Sequence, residues 1–296
     1  MIPYRFLASV APAILVALAI GAAPASARDS SLCPGGEPAA VEAGAAVAAC
    51  DARGERTQGA SSRKAPLRDS GAAKATVITE PVTRTRHFIY RLKRPEEPSG
   101  ETIVLLHGSG GDEASLFRLA ARVAPDATLL GVRGRVVQKG IKRWYARLSA
   151  VEFDQADIRK EARAFAAFLE ATMAAEKLDL DRTVFIGYSN GANLIAAMTL
   201  FYPDLVHRAV LLRAMPVLHA VPAADLHGAR FLTIAGKLDR IYAPFAPALE
   251  ALLRNRGATV DARRVARGHL LGDEDIEVVG DWLAAANAVA GGAAPQ

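Results

Sequence analysis

GYSNGAN, residues 187–193, follows the apolar run Thr183-Val184-Phe185-Ile186 without a break. A short β-branched and aromatic run reads as a buried strand. The glycine-serine-glycine spacing behind it marks a turn so sharp that only small residues let a strand and the next helix approach each other. The serine is then either one more small residue that the turn requires, or a nucleophile held in the open by it. G-x-S-x-G alone is a hypothesis, and the rest of the chain decides between the two readings.

Outward from this stretch, short apolar runs alternate with longer amphipathic segments. Strands are expected at 75–82, 87–92, 103–107, 128–132, 183–187, 209–212, 231–235 and 260–266. Most of the later ones are continuously apolar, as in strands covered on both faces. Ile158, Ala162, Phe165, Leu169 and Met173 form one stripe of a long helix. Leu194, Met198 and Phe201 mark another, stopped by Pro203, and further helices are expected at 247–254 and 273–283. This alternation predicts an α/β fold: a mostly parallel central sheet with helices on both faces, one domain over residues 76–290. In such sheets the functional residues gather at the carboxyl ends of the strands.

Ser189 stands at such an end. A serine hydroxyl needs a base to take its proton, and a carboxylate to hold that base in the useful tautomer. In a strand–elbow–helix arrangement the partners follow in the order Ser, Asp or Glu, His. That order excludes His87 and His107 as the base. His207 follows a helix end, and His219 and His227 precede the strand at 231–235; His269 lies in the loop between the last strand and the last helix. His269 is therefore the candidate base, and Asp239, just past the strand at 231–235, the orienting carboxylate. Each residue alone could be an ordinary loop histidine or helix-capping aspartate; together they fall in the required order at successive strand ends. The strand at 103–107 runs into His107-Gly108-Ser109-Gly110-Gly111. The backbone N–H groups of Ser109 and Asn190 are the candidate oxyanion-hole donors. A phosphate-binding reading of HGSGG fails, because neither the G-K-[ST] ending nor the G-x-G-x-x-G spacing is present.

With LLHGSGGDE (105–113), FIGYSNGANL (185–194), AVLLRAMPVL (209–218), AGKLDRIYAP (235–244) and GHLLGDEDIEVVGDWL (268–283) in view, the stretch from Ile103 to Leu283 resembles the α/β-hydrolase superfamily. Within it, the chain is similar to bacterial carboxylesterase/phospholipase-type serine hydrolases of the methylhydroquinone-resistance type. The resemblance implies the same triad, Ser189, Asp239 and His269, and a small-molecule ester as substrate, with no metal and no organic cofactor. A thioesterase or lysophospholipase would use the same machinery. A non-catalytic binding protein on the same fold is the alternative from another class.

The segment 133–153 is too long for a simple turn and carries Trp144, Tyr145, Leu148 and Phe153 among basic residues. Trp144 and Tyr145 are expected to wall the substrate pocket, the alternative being that they cover the sheet.

At the other end of the chain, Arg5 precedes an apolar run and Pro24-Ala25-Ser26-Ala27, the pattern of a cleavable export signal over residues 1–27. The expected mature protein is periplasmic or secreted, with no stable membrane span once the signal is removed. Residues 28–75 are rich in alanine, glycine, serine and arginine and read as a low-complexity tail, with a short-helix signal near 37–49. Cys33 and Cys50, in an oxidising compartment, are expected either to pair locally or to stay free thiols. With 51% apolar and 23% charged residues the 296-residue chain is globular. Its formal charge of +5 comes from scattered arginines without interleaved aromatics, which argues against a nucleic-acid partner.

Overall fold

The computed structural model describes residues 80–291. The expected export signal, the tail with its short-helix signal, and Cys33 and Cys50 lie outside the described residues.

In chain order the elements are β1 (Val82–Arg84), β2 (Ile89–Lys93), β3 (Thr102–Leu106), α1 (Phe117–Val123), β4 (Thr128–Arg133), β5 (Val136–Gln138), β6 (Ile141–Arg143), α2 (Gln155–Glu176), β7 (Thr183–Tyr188), α3 (Asn190–Phe201), β8 (Arg208–Leu212), β9 (Arg230–Gly236), α4 (Ala246–Arg254), β10 (Thr259–Val265) and α5 (Asp273–Gly291). One eight-stranded sheet has the order β1-β2-β4-β3-β7-β8-β9-β10. The β1–β2 and β2–β4 pairs are antiparallel, and every pair from β4 to β10 is parallel.

Strand residues alternate between the two faces of the sheet. Val104, Leu106, Phe185, Leu211 and Phe231 join the core with Ile158, Phe165 and Leu169 of α2, Leu194 and Met198 of α3, and Leu249 of α4. Ile103, Leu105, Ile186, Val210, Leu232 and Ile234 meet Phe117 and Leu119 of α1 and Val279 and Leu283 of α5 on the other face. Burial on both sides explains the unbroken apolar runs in β3, β4, β7 and β8. The register pairs Leu106 with Gly187, Tyr188 with Leu212, and Val265 with Gly236. The loops that follow β3, β7, β9 and β10 therefore leave the sheet from one edge.

The structure departs from expectation in three places. Of the strand expected at 75–82 only 80–82 lie within the described residues, and there the first strand is a short exposed edge at Val82–Arg84, since an edge strand needs little apolar burial. Helix α1 is only seven residues long and lacks a recognisable periodic stripe. The segment read as a loop contains a β5–β6 hairpin in which Gln138 pairs with Ile141. Lys139 (φ 51°) and Gly140 (φ 77°) form its two-residue turn, the left-handed conformation such hairpins demand. Lysine at the first turn position hides the signal that asparagine or aspartate would have carried.

Candidate active site

β7 ends at Tyr188 and α3 begins at Asn190, so Ser189 alone makes the turn. Its φ of 50° and ψ of −113° lie where a residue with a side chain is strained by on the order of 1–3 kcal/mol. The Ser189 N–H donates to the Leu212 carbonyl at 2.8 Å, and the Ser189 carbonyl accepts from Asn193 N–H at 2.9 Å. These bonds, with α3 buried from Asn190 to Leu200, hold the strained turn in place. The flanking glycines serve close approach rather than unusual φ. A Cβ on Gly187 would stand 2.6 Å from the Ala192 Cα, and one on Gly191 would stand 2.6 Å from the His107 carbonyl oxygen.

The loop after β10 brings His269 Nε2 to 3.0 Å from Ser189 Oγ, while its Nδ1 is 2.6 Å from Asp239 Oδ2. A proton on Nδ1 shared with the carboxylate leaves Nε2 free to accept from the serine hydroxyl. Asp239 is buried in the turn after β9, and its Oδ1 accepts from the backbone N–H of Tyr242 at 3.0 Å and Ile241 at 3.2 Å. Burial by itself raises the Asp239 pKa. The Tyr242 N–H, His269 and the Ile241 N–H outweigh it, and the carboxyl is held below its ordinary value. The imidazole lies between Tyr188 and Tyr242, with ring centroids 5.5 and 4.7 Å away.

A buried ion pair that sequence reasoning left without a role secures this loop. Arg213 Nη1 and Nη2 donate to the two oxygens of Asp275 at 2.7 and 2.9 Å, both side chains fully enclosed. Arg213 Nε donates to the Gly268 carbonyl at 2.9 Å and Nη2 reaches the Leu270 carbonyl at 3.4 Å. The guanidinium thus grips the backbone on both sides of His269. Tyr188 Oη donates to the His269 carbonyl at 3.1 Å as a third tether. The available signal was a lone arginine in the apolar run 209–218.

On the opposite side of Ser189 lies the loop after β3. His107 is buried; its Nδ1 donates to the Gly108 carbonyl at 2.6 Å and its Nε2 accepts from Gly134 N–H at 2.9 Å. Burial, the largest influence, holds its pKa below the ordinary value, so the ring is a neutral brace between this loop and the β5–β6 hairpin. The hairpin adds Gly110 N–H to the Lys142 carbonyl at 2.9 Å, Arg143 Nη1 to Ser109 Oγ at 2.6 Å and Trp144 N–H to Asn190 Oδ1 at 2.7 Å. The backbone N–H groups of Ser109 and Asn190 have no acceptor among the described residues.

Trp144 and Tyr145 are 1% and 0% exposed, and the expectation that they wall the pocket is corrected. Trp144 Nε1 donates to the His107 carbonyl at 2.9 Å and its ring meets Phe165 edge-on at 5.2 Å; Tyr145 packs on Phe153 at 5.4 Å. The hairpin carries the chain inward, so both aromatics support the site from beneath instead of facing a ligand. Leu238, Ile241 and Leu270, chain neighbours of Asp239 and His269, are 69%, 55% and 77% exposed. Among the described residues, no cluster of three or more His, Cys, Asp or Glu side chains is arranged to hold a metal, and no helix is long and apolar enough to cross a membrane.

The model of the α/β hydrolase fold family matches residues 101–264. A putative hydrolase of Bacillus subtilis, MhqD, is 32% identical over 185 residues, spanning 62% of this chain and 92% of that protein. Among solved structures, the carboxylesterase from Mesorhizobium loti is 48% identical with a TM-score of 0.68, covering 69% of this chain and 98% of that one. The Bacillus cereus carboxylesterase is 32% identical with a TM-score of 0.64, covering 67% and 93%. The chain belongs to the α/β-hydrolase family. It is a serine hydrolase of the carboxylesterase-like kind, an enzyme whose fold suits a small-molecule substrate.

Proposed function

We propose that this protein hydrolyses carboxylic esters through a Ser189–His269–Asp239 triad and an acyl-enzyme. One observation carries the reading: a serine on a strained elbow is within hydrogen-bond reach of a histidine whose other nitrogen meets a buried, ionised aspartate. Ser189 Oγ attacks the ester carbonyl as its proton passes to His269 Nε2. Asp239 stabilises the imidazolium and keeps its orientation. The Ser109 and Asn190 N–H groups, the latter at the positive end of α3, receive the oxyanion. His269 then returns the proton to the departing alcohol oxygen, and water enters through the same base to release the acid. No step calls for a metal or an organic cofactor. The similarity to the M. loti and B. cereus carboxylesterases supports esters as the substrate class.

The same reading places the mature enzyme outside the cytoplasm, starting near Arg28 after removal of residues 1–27, with catalysis confined to 76–290. The basic start, apolar run and Ala25-Ser26-Ala27 support it.

Labelling with a neutral alkyl fluorophosphonate, followed by peptide mapping, tests the mechanism. Stoichiometric modification of Ser189 with parallel loss of esterase activity is the expected result. An unlabelled Ser189 in an active preparation would overturn the assignment.

A further inference from the structure

Among the described residues, three arginines present the Nε–Nη2 edge of the guanidinium to a carboxylate. Arg133 meets Glu113 at 2.5 and 2.8 Å, Arg135 meets Glu161 at 2.5 and 3.3 Å, and Arg263 meets Asp261 at 2.7 and 2.9 Å. Arg143 is more buried than these, at 7% exposure, yet it pairs with no carboxylate among the described residues. Its Nη1 donates to Ser109 Oγ. Its Nε is enclosed without an acceptor, and its Nη2 meets none among the described residues. Burying a cation without a counter-ion is costly, and natural structures rarely leave one so. The nearby Arg147 adds positive charge instead of offsetting it.

The position of this guanidinium suggests what it is for. It is bonded to the residue whose N–H is offered to the oxyanion, and the next residue, Trp144, is bonded to Asn190. It also lies within electrostatic reach of Tyr242, whose ring is 4.7 Å from that of His269. The two halves of an ester part at Ser189. His269 protonates the departing alcohol, so the alcohol half leaves on the side of the exposed Leu238, Ile241 and Leu270. The acyl half stays on the side of the loop after β3, where Arg143 stands.

We propose that Arg143 receives a carboxylate of the substrate's acyl half, so that the preferred substrates are monoesters of short dicarboxylic acids with an apolar alcohol. This rests on the esterase reading given above. A carboxylate oxygen is the acceptor that the open Nη2 can take in a charge-assisted hydrogen bond, while the enclosed Nε keeps the unbalanced charge close by. The bound carboxylate takes no part in bond making: the ester C–O bond breaks, water supplies OH to the acyl carbon and H to the alcohol, and a dicarboxylate is released.

The test compares kcat/KM for monobutyl succinate with that for butyl isocaproate, its neutral isostere, by pH-stat titration. The wild type and the Arg143→Gln and Arg143→Lys variants are all assayed, each after a melting curve and fluorophosphonate labelling. Wild-type enzyme should favour the anionic ester by roughly 10- to 100-fold, the scale of a charge-assisted hydrogen bond. Arg143→Gln should bring the ratio close to one, and Arg143→Lys, which keeps the charge but cannot hold Ser109 Oγ and a carboxylate from two fixed nitrogens, should give an intermediate ratio. Succinate should inhibit the wild type competitively and the Gln variant much more weakly. No preference in the wild type overturns the proposal. So does an equal loss on both esters in Arg143→Gln, which would make Arg143 a support for Ser109 only. Stronger competitive inhibition by inorganic phosphate than by succinate would overturn the carboxylate assignment. Ser189 that resists labelling would bring down the esterase reading itself, whereas intact labelling with an unchanged ratio would sink the Arg143 proposal alone.

Discussion

The two sides of Ser189 are built on opposite terms. On the His269 side the buried charges have partners. Asp239 accepts from two backbone N–H groups and His269, and Arg213 is closed off by Asp275 and three backbone carbonyls. On the other side donors are left over among the described residues: the N–H groups of Ser109 and Asn190, and Nη2 of Arg143. Groups that must hold one geometry through the reaction are satisfied within the protein. Groups that a substrate or its transition state would engage are rigidly braced but unmatched, the arrangement that stabilises a developing charge without reorganisation. Two buried arginines thus have different physics: one is balanced and positions a loop, the other is unbalanced and points to a ligand.

Breaking the centre of this arrangement should have the largest effect. Ser189→Ala is expected to lower ester turnover by on the order of 10⁴-fold or more, with a melting temperature unchanged or raised as the elbow loses its hydroxyl. Steady-state kinetics beside a melting curve checks it; near-normal turnover would contradict the nucleophile assignment. Next comes the balanced side. Asp275→Ala leaves Arg213 buried without its counter-ion and should cost about 3–5 kcal/mol of stability by urea unfolding. Replacing the pair together, Arg213→Met with Asp275→Leu, should recover much of that stability while esterase activity stays low, because Gly268 and Leu270 lose their grip on either side of His269. Recovery of both would reduce the pair to a packing element.

On the unmatched side, Trp144→Ala should destabilise by about 3–5 kcal/mol, as for other buried aromatics, with equal fractional losses on aryl and short-alkyl esters. A KM effect confined to aryl esters would return Trp144 to the pocket. The smallest effect concerns His107. Its pKa in the fold lies below the ordinary 6.5 because it is buried. The unfolded chain therefore binds the extra proton first as pH falls. The contribution of His107 to stability is complete above about 6.5 and is lost as pH drops from there through the lower folded value. Unfolding free energies measured from pH 8 to 5 should fall more steeply for the wild type than for His107→Gln, and identical slopes would mean that His107 is not held neutral.

The residues near Ser189 differ in how far they could be read from the chain. Strand runs, the long α2 stripe and the glycines around Ser189 rest on local rules: side-chain period, steric size and turn geometry act over a few neighbouring residues, so they survive in a linear reading. The meeting of Ser189, Asp239 and His269 was also legible, because parallel strands all deliver their carboxyl ends to one edge of the sheet. Helix α1, the hairpin turn at Lys139-Gly140 and the short edge strand β1 were not, since they carry weak or atypical local signals and owe their form to what they pack against. The fate of long-range polar groups was least accessible. Nothing local says that Arg213 finds Asp275 sixty-two residues away while Arg143 finds no carboxylate among the described residues, or that Trp144 turns inward onto Phe165. Sequence by itself determined the class of fold and the order in which Ser189, Asp239 and His269 follow one another along the chain. The tertiary structure alone decided which charges are cancelled and which aromatics are buried, because burial and ion pairing are properties of contacts between distant segments.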